Sequence, residues 1–214
     1  APFIKTGGLG DVAGSLPKAL AAEGNEVAVF CPLYSAIPQI WREKLTYLKN
    51  AYVQLGWRNQ YCGVFHYADA GVDYYFIDNE YYFARSQIYG EYDDAERFAF
   101  FSKAVLEILP DLDFRPDVIN CNDWQSALVP VYYNLMFAGR EFYQGIKTVF
   151  TIHNIAYQGR YGREILEYVL GNDDAHYRSG FMAMDGDVNL MKAAIVAANA
   201  VTTVSPSYAE EIQT

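Results

Sequence analysis

Three glycines and a lysine stand directly before a predicted helix in the segment KTGGLGDVAGSLPKAL, residues 5–20. A glycine turn that opens a helix leaves backbone N–H groups unpaired at the positive end of the helix dipole, where an anion can bind. Lys5 adds a full positive charge beside these groups. The segment therefore predicts either a site for a phosphate-bearing anion or an ordinary tight turn with a solvated lysine.

The same segment resembles two nucleotide-binding loops without meeting the requirements of either. Residues 8–13, GLGDVA, satisfy the dinucleotide pattern G-x-G-x-x-A. That use needs a preceding strand and a carboxylate at the end of the next strand. Only six residues precede Gly7, and the next predicted strand ends in Phe30-Cys31-Pro32. The pattern G-x-x-x-x-G-K-[ST] is absent, so a nicotinamide site and a triphosphatase loop are both disfavoured.

Polar residues follow three predicted strands, in residues 120–125, 151–154 and 205–207. Ligands of open parallel sheets bind at the carboxyl ends of strands, so these segments are candidates for a binding site. Asp123 followed by Trp124 offers a carboxylate beside an aromatic platform, which suits a sugar. The alternative is an aspartate that caps a helix over a core tryptophan.

Two further groups could take part in chemistry. His153 could hold a sugar hydroxyl or shuttle a proton, or it could be a structural histidine with satisfied hydrogen bonds. Asp185-Gly186-Asp187 matches the D-x-D that holds a metal in some sugar-nucleotide enzymes. No other ligands lie nearby in the sequence, so a plain turn is favoured there over a metal site.

The composition of the chain argues against several classes of protein. The 214 residues are 52% hydrophobic, carry a formal charge of -10 and have a sequence pI of about 4.7. An acidic protein is repelled by nucleic acid and by anionic membranes, and no apolar run reaches the roughly 18 residues of a membrane span. The cysteines, Cys31, Cys62 and Cys121, are odd in number and far apart, which is typical of the reducing cytosol.

Strands and helices alternate along most of the chain. Helices are predicted at 11–23, 93–110, 125–139, 187–199 and from Ser205 onward, and strands at 25–32, 116–123, 146–154 and 200–205. Residues 51–78 are rich in tyrosine and valine and predict hairpins of more irregular form. This order predicts an α/β fold, a Rossmann-like parallel sheet with helices on both faces.

Five segments together resemble the bacterial glycogen synthases and plant starch synthases: KTGGLGDVAGSLPKAL, YGEYDDAERFAFFSKAVLEIL, RPDVINCNDWQSALVPVY, KTVFTIHNIAYQG and AVTTVSPSYAEEI. The resemblance implies a cytoplasmic, cofactor-free retaining glycosyltransferase of the GT-B arrangement, in which two Rossmann-like domains face a cleft. Such enzymes transfer glucose from ADP-glucose, or UDP-glucose in some members, to the nonreducing end of an α-1,4-glucan such as glycogen. Residues 1–214 resemble the N-terminal, acceptor-side domain, so we expect no transfer by this chain alone.

The resemblance also implies roles for individual residues. Catalytic roles are implied for His153 and Asp123, donor binding for Lys5, Gly8 and Asp11, and acceptor or sugar binding for Trp124, Asn154 and Gln158. The partners implied are ADP-glucose and the glucan, with no nucleic acid and no membrane.

The chain departs from the family pattern in two places. Family members usually have a strand before the first matching segment, and the C-terminal domain also lies outside these residues. The family often has His-Asp-Trp-His where this chain has Asn122-Asp123-Trp124-Gln125, so roles of those two histidines are not carried over. Two other functions stay open: a different retaining glycosyltransferase of this fold, and a carbohydrate-binding module without catalysis.

Overall fold

The computed structural model describes residues 2–171 and 174–213. The described helices are Gly8–Ala22 (α1), Gln39–Arg42 (α2), Glu80–Phe83 (α3), Asp94–Ile108 (α4), Leu128–Tyr132 (α5), Ile165–Leu170 (α6), Ala175–Arg178 (α7), Leu190–Ala197 (α8) and Pro206–Glu211 (α9). The described strands are Val27–Pro32 (β1), Thr46–Leu55 (β2), Arg58–Asp69 (β3), Val72–Asp78 (β4), Val118–Asn122 (β5), Lys147–Ile152 (β6), Arg160–Tyr161 (β7), Ala183–Met184 (β8), Asp187–Asn189 (β9) and Ala200–Thr203 (β10). None of the helices in these ranges is long and apolar enough to cross a membrane.

The chain divides into two compact units. The first comprises Ala1–Val53 and Asn59–Asp94, and the second comprises Gln54–Arg58 and Ala95–Thr214. The assignment of all 214 residues to one Rossmann-like domain stays a prediction.

The first unit contains a mixed sheet with the strand order β1-β4-β3-β2. β1 runs parallel to β4, with Val27 beside Val72, whereas β3 and β4 are antiparallel. The hairpins predicted over residues 51–78 are thus confirmed, but they form one regular sheet with β1. The reason is a complete antiparallel register between β3 and β4, from Gly63 opposite Asp78 to Asp69 opposite Val72.

A cluster of aromatic rings holds the segment that leads into the glycine loop. Phe3 is buried and lies edge-on to Trp41, Tyr67, Tyr74 and Phe76, with centroid distances of 5.0–5.8 Å. Edge-to-face pairs at these distances each contribute about 0.5–1.5 kcal/mol beyond the burial of their area. The backbone two residues before Lys5 is therefore fixed to the first sheet.

The second unit contains the parallel sheet that the alternating pattern predicts. Its strand order is β10-β6-β5, and both neighbouring pairs are parallel. The central strand β6 places Phe150 beside Cys121 of β5 and Val201 of β10. Because the strands are parallel, the residues that follow Asn122, Ile152 and Thr203 emerge at the same edge of this sheet. The α/β fold class is confirmed.

In two segments of the second unit that the sequence predicts to be single helices, the structure differs from the prediction. Residues 187–199 begin with the strand β9, which pairs with β7 and β8, and only then continue as α8. Asn189 makes this change possible because its side chain accepts a hydrogen bond from Lys192 N and caps α8. Residues 125–139 are divided between a 3-10 turn, α5 and a π-helical turn at Tyr133–Phe137.

The cysteines are free and do not form a disulfide with one another. Burial raises the pKa of the Cys31 and Cys62 thiols to about 12, so both are protonated at neutral pH. Protonated, buried thiols are poor metal ligands and poor nucleophiles.

The position of Phe150 predicts a large effect on stability. Phe150 is 0% exposed, and truncating a buried phenylalanine to alanine removes contacts and leaves a cavity. We expect Phe150→Ala to lower the free energy of unfolding by about 3–5 kcal/mol, measured by thermal or denaturant unfolding of the full-length protein. Tyr92→Ala is the matched control, because Tyr92 is 86% exposed. A Phe150→Ala variant as stable as Tyr92→Ala would contradict the placement of β6.

Candidate active site

The glycine loop has the geometry of an anion site. Gly7 is the residue before α1 and adopts φ 91° and ψ -167°, a conformation that residues with a Cβ rarely take. Among the described residues, no side chain makes a capping hydrogen bond at this end of the helix. Gly8 begins the helix and has open space around the position of a Cβ. The N-terminus of α1 can therefore receive a ligand with backbone donors.

Lys5 is held beside this helix start. Its ammonium lies 2.7 Å from Oδ1 of Asp11, which belongs to the first turn of α1. A Cβ on Gly10 would come within 2.8 Å of Cγ of Lys5, so Gly10 makes room for the lysine stem. The two charged side chains are 51% and 64% exposed, and an ion pair of that kind contributes at most about 1 kcal/mol. An arriving anion can therefore replace the carboxylate at small cost.

Asp123 binds the loop that follows the neighbouring strand. Its Oδ1 accepts hydrogen bonds from the backbone N–H groups of His153 at 2.8 Å and Asn154 at 3.3 Å. Its own N–H donates to the carbonyl of Thr151 at 3.0 Å. In the described part of the chain, no hydrogen bond reaches Oδ2, so this oxygen keeps its acceptor capacity. The carboxylate thus fixes the loop with one oxygen and can bind a sugar with the other.

His153 makes a side-chain contact with the residue before Asp123. Its Nε2 lies 2.9 Å from Oδ1 of Asn122. Burial lowers the pKa of His153 below its ordinary value of 6.5, and the negative charge of Asp123 offsets part of this effect. The ring is therefore neutral at pH 7. Asn122 had no assigned role in the sequence, although its departure from the family pattern pointed to this position.

Trp124 is the floor of a shallow cavity. It is 8% exposed and packs edge-on against Phe98 at 5.1 Å. A cavity of about 400 Å³ lies above it. The lining residues are Trp124, Ala156, Tyr157, Gln158, Gly159, Arg160 and Tyr161. Trp124 is thus a core residue that also lines this cavity, and its role in sugar binding stays a prediction.

Asn154 and Gln158 shape the loop that forms this pocket. The side-chain oxygen of Asn154 accepts a hydrogen bond from Ala156 N at 2.9 Å. Gln158 donates to the carbonyl of Ile155 at 3.0 Å and accepts from Asn189 at 2.6 Å. These amides are engaged within the protein, so their roles in sugar binding stay predictions.

Gly159 lines the same cavity and was not among the residues predicted from the sequence. Its φ is +63°, and a Cβ at this position would lie 2.8 Å from Cε3 of Trp124. The close approach brings the loop backbone onto the indole ring. A glycine directly after Gln158 in the family motif was the signal that could have identified it.

The Asp185-Gly186-Asp187 segment forms a turn. Asp185 and Gly186 have φ values of 53° and 88° and connect β8 to β9. Arg160 pairs with both carboxylates, at 3.6 Å from Asp185 and 3.1 Å from Asp187. Across residues 2–171 and 174–213, no group of three or more His, Cys, Asp or Glu side chains could hold a metal ion.

The predicted site residues fall into two groups. Lys5, Gly8 and Asp11 lie in the first unit, whereas Asp123, Trp124, His153, Asn154 and Gln158 lie in the second. Lys5 pairs with Asp11 in the first group. In the second, Asp123 contacts His153 and Asn154, and Trp124 and Gln158 line one cavity.

Comparison with known proteins identifies the family. The family described as "Starch synthase catalytic domain" matches residues 1–214. The chain belongs to this family. The glycogen synthase of Lactobacillus acidophilus is 52% identical over 214 residues, which are 100% of this chain and 45% of that protein. The glycogen synthase of Bacillus subtilis is 48% identical over 213 residues, 100% of this chain and 44% of that protein.

A solved structure shows the same fold. The catalytic domain of Starch Synthase IV from Arabidopsis thaliana, bound to ADP and acarbose, superimposes with a TM-score of 0.89 at 33% identity. The match covers 100% of this chain and 45% of that one, so the chain spans less than half the length of these relatives. The resemblance to glycogen and starch synthases and the Rossmann-like, GT-B-type fold are confirmed.

The contact between Gly159 and Trp124 predicts an effect on glucan binding. In Gly159→Ala, the methyl group would push the loop away from the indole, and the positive φ would add strain. We expect a loss of about 1–3 kcal/mol in stability and a weaker affinity for a maltooligosaccharide, measured by unfolding and by titration of the full-length protein.

Gly180→Ala is the matched control. Gly180 has a φ of +82° and open space around the Cβ position, so this variant carries the backbone strain without the clash. Both variants should lose stability, and only Gly159→Ala should lose glucan affinity. Wild-type affinity in a folded Gly159→Ala variant would show that the loop does not depend on this contact.

Proposed function

We propose that this chain is the acceptor-side half of a retaining glucosyltransferase that elongates an α-1,4-glucan from ADP-glucose. The observation that carries the proposal is the match of the whole chain to a starch synthase catalytic domain bound to ADP and acarbose, at a TM-score of 0.89. The glycogen synthases at about 50% identity support glycogen as the product. UDP-glucose is the alternative donor.

The glycine loop suits the diphosphate of the donor. When the bond between the glucose C1 and the β-phosphate oxygen breaks, ADP leaves with additional negative charge on that oxygen. The N–H groups at the start of α1 carry only partial positive charge, whereas Lys5 carries a full one. Charge stabilisation of this kind lowers the barrier when it is stronger in the transition state than in the bound substrate.

The strand ends of the second unit suit the sugars. The acceptor's terminal hydroxyl forms the new bond to C1 as the bond from C1 to the β-phosphate oxygen breaks, and the hydroxyl proton passes to the departing diphosphate. Oδ2 of Asp123 and the ring of His153 offer polar contacts to the transferred glucose. The cavity over Trp124 offers an apolar surface with a polar rim, which is typical of a site for a glucose unit of the acceptor. We place the reaction in the cytoplasm, where free cysteines such as these persist.

Assays with the full-length protein separate this proposal from its alternatives. Incorporation of labelled glucose from ADP-glucose into glycogen is the expected result. Transfer from another donor only would favour a different retaining glycosyltransferase, and glucan binding without turnover would favour a binding module.

We expect residues 1–214 expressed alone to show no measurable transfer. Catalysis needs both substrates oriented in one water-poor site, and the chain spans about 45% of its relatives. The measurement is the same incorporation assay, with the full-length protein as the positive control. Turnover by the short chain at a rate comparable to that of the full-length protein would contradict the prediction.

We expect Lys5→Ala to lower kcat/KM for ADP-glucose by roughly 10- to 150-fold. A charge-assisted hydrogen bond contributes roughly 1.5–3 kcal/mol, and about 1.4 kcal/mol corresponds to a tenfold change. Lys5→Arg should recover activity only in part, because the planar guanidinium does not reproduce a point charge in a glycine-lined turn. Steady-state kinetics and a melting curve are measured for each variant.

Lys18→Ala is the control for the loss of a lysine from the same region. Lys18 also lies on α1 and pairs with Asp69 at 2.7 Å, the same distance as the Lys5–Asp11 pair. Its removal should leave kcat/KM unchanged. If Lys5→Ala and Lys18→Ala behave alike, the glycine loop is a structural turn.

A further inference from the structure

We propose that Asn122 is a positioning residue that holds His153 in the tautomer with its proton on Nε2, so that Nδ1 accepts a hydrogen bond from a substrate sugar hydroxyl. This inference rests on the proposed function, because the hydroxyl belongs to the sugar that the enzyme would bind.

The contact that fixes the tautomer is direct. Oδ1 of Asn122 lies 2.9 Å from Nε2 of His153, a normal hydrogen-bond distance. An amide oxygen can only accept a hydrogen bond, so the ring nitrogen must donate. In a neutral imidazole the other nitrogen then carries the lone pair. Asn122 therefore determines which nitrogen of His153 is an acceptor.

The backbone holds both partners of this contact in place. Asn122 is the last residue of β5 and pairs with Thr151 of β6, two residues before His153. The carboxylate of Asp123 accepts from the N–H of His153 and fixes the backbone that carries the ring. The carbonyl of Asn122 accepts from the hydroxyl of Ser126 at 2.8 Å. The short distance between the two side chains thus follows from strand register and needs no flexible loop.

The second ring nitrogen is available to a ligand. Throughout the described ranges, 2–171 and 174–213, no protein group makes a hydrogen bond to Nδ1 of His153, and the ring is half-buried. For a buried or half-buried acceptor that has no hydrogen bond, a ligand that donates one gives the largest gain in free energy. Sugar hydroxyls can serve as donors, so a glucose unit fits this position chemically.

The charge state of the ring agrees with an acceptor role. Burial lowers the pKa of His153, and Asp123 is the charged group among the described residues that acts on the ring in the opposite direction. The net lowering keeps the ring neutral at pH 7, with the lone pair on Nδ1 intact. A protonated ring would donate from both nitrogens and could not accept.

Asparagine is better suited to this task than the histidine that the family often has at position 122. An imidazole titrates near neutral pH and, once protonated, can only donate a hydrogen bond to His153. The asparagine amide does not titrate. It therefore holds the tautomer of His153 over a wider range of pH.

Two variants of Asn122 in the full-length protein test the inference. Asn122→Leu removes the acceptor at similar size, so His153 should populate both tautomers and kcat/KM should fall by about 2-fold, in proportion to the rings left in the competent tautomer. Asn122→Asp keeps an acceptor but adds a negative charge, which raises the pKa of His153. The acidic limb of the kcat/KM profile should therefore move to higher pH, while activity above that limb is retained. The position of this limb therefore reports whether turnover requires an unprotonated His153.

Gln125→Leu is the matched control. Gln125 belongs to the same segment and stands at the other position where the family often has histidine, and its buried Oε1 has no hydrogen-bond partner among the described residues. Its removal should change neither the tautomer of His153 nor the acidic limb. Melting curves of all three variants report whether each remains folded.

Nitrogen NMR of the histidine-labelled full-length protein gives a readout that does not depend on turnover. The His153 signals are assigned by their absence in His153→Gln. The expected wild-type spectrum shows a protonated Nε2 and an unprotonated Nδ1, and ADP-glucose or a maltooligosaccharide shifts Nδ1. A protonated Nδ1 in the wild type, or an Nδ1 signal that neither ligand moves, would overturn the inference. If Nε2 is protonated and a glucan shifts Nδ1 but no glucose is transferred from ADP-glucose, only the proposed function has failed.

Discussion

The carboxylate of Asp123 is the interaction on which the sugar-side geometry depends. It joins the end of β5 to the loop after β6 by accepting from two successive backbone N–H groups. Asp123 itself adopts φ 55° and ψ -179°, a strained conformation for a residue with a side chain. Strain of that kind costs about 1–3 kcal/mol, and each hydrogen bond to a charged acceptor contributes about 1.5–3 kcal/mol. The two bonds therefore offset the strain and keep the segment in this single arrangement.

Several features follow from that arrangement. The backbone direction after Asp123 sends Trp124 into the core, where Phe98 packs against it. The same carboxylate holds the N–H of His153, and thereby places the imidazole within reach of Asn122. Gly159 then returns the loop to the indole and completes the pocket. The indole of Trp124, the imidazole of His153 and the loop at Gly159 thus all depend on the side chain of Asp123.

Much of the fold could be predicted from the sequence because periodic patterns determine it. The strands that end at Asn122, Ile152 and Thr203 and the cap of α9 by Ser205 follow from apolar runs and local capping chemistry. The start of α8 could not be predicted, because the pairing of β9 with β7 and β8 depends on residues that are distant in sequence. The parallel register of β1 with β4 depends on tertiary contacts in the same way.

The candidate site was predictable by residue type but not by contact. Lys5 and Asp11 could be identified from the motif, whereas their ion pair depends on the path of the chain around Gly10. The contacts of Asp123 with His153 and Asn154 span about thirty positions and depend on strand register, which apolar periodicity does not specify. Asn122 stood out in the sequence only as a departure from a pattern. A role for Asn122 could be inferred only from its distance to His153 in the structure.

The ion pair between Lys5 and Asp11 means that the anion binding proposed for the glycine loop would be an ion exchange. The lysine already has a counter-ion, so a ligand must compete with a carboxylate held 2.7 Å away. A singly charged anion gains little from that exchange, because it replaces one unit charge with another. A diphosphate brings more charge and several oxygens, which can engage the ammonium and the helix N–H groups together. With the proposed function, Asp11 thus gives a diphosphate a small advantage over a singly charged anion, of at most about 1 kcal/mol for an ion pair this exposed.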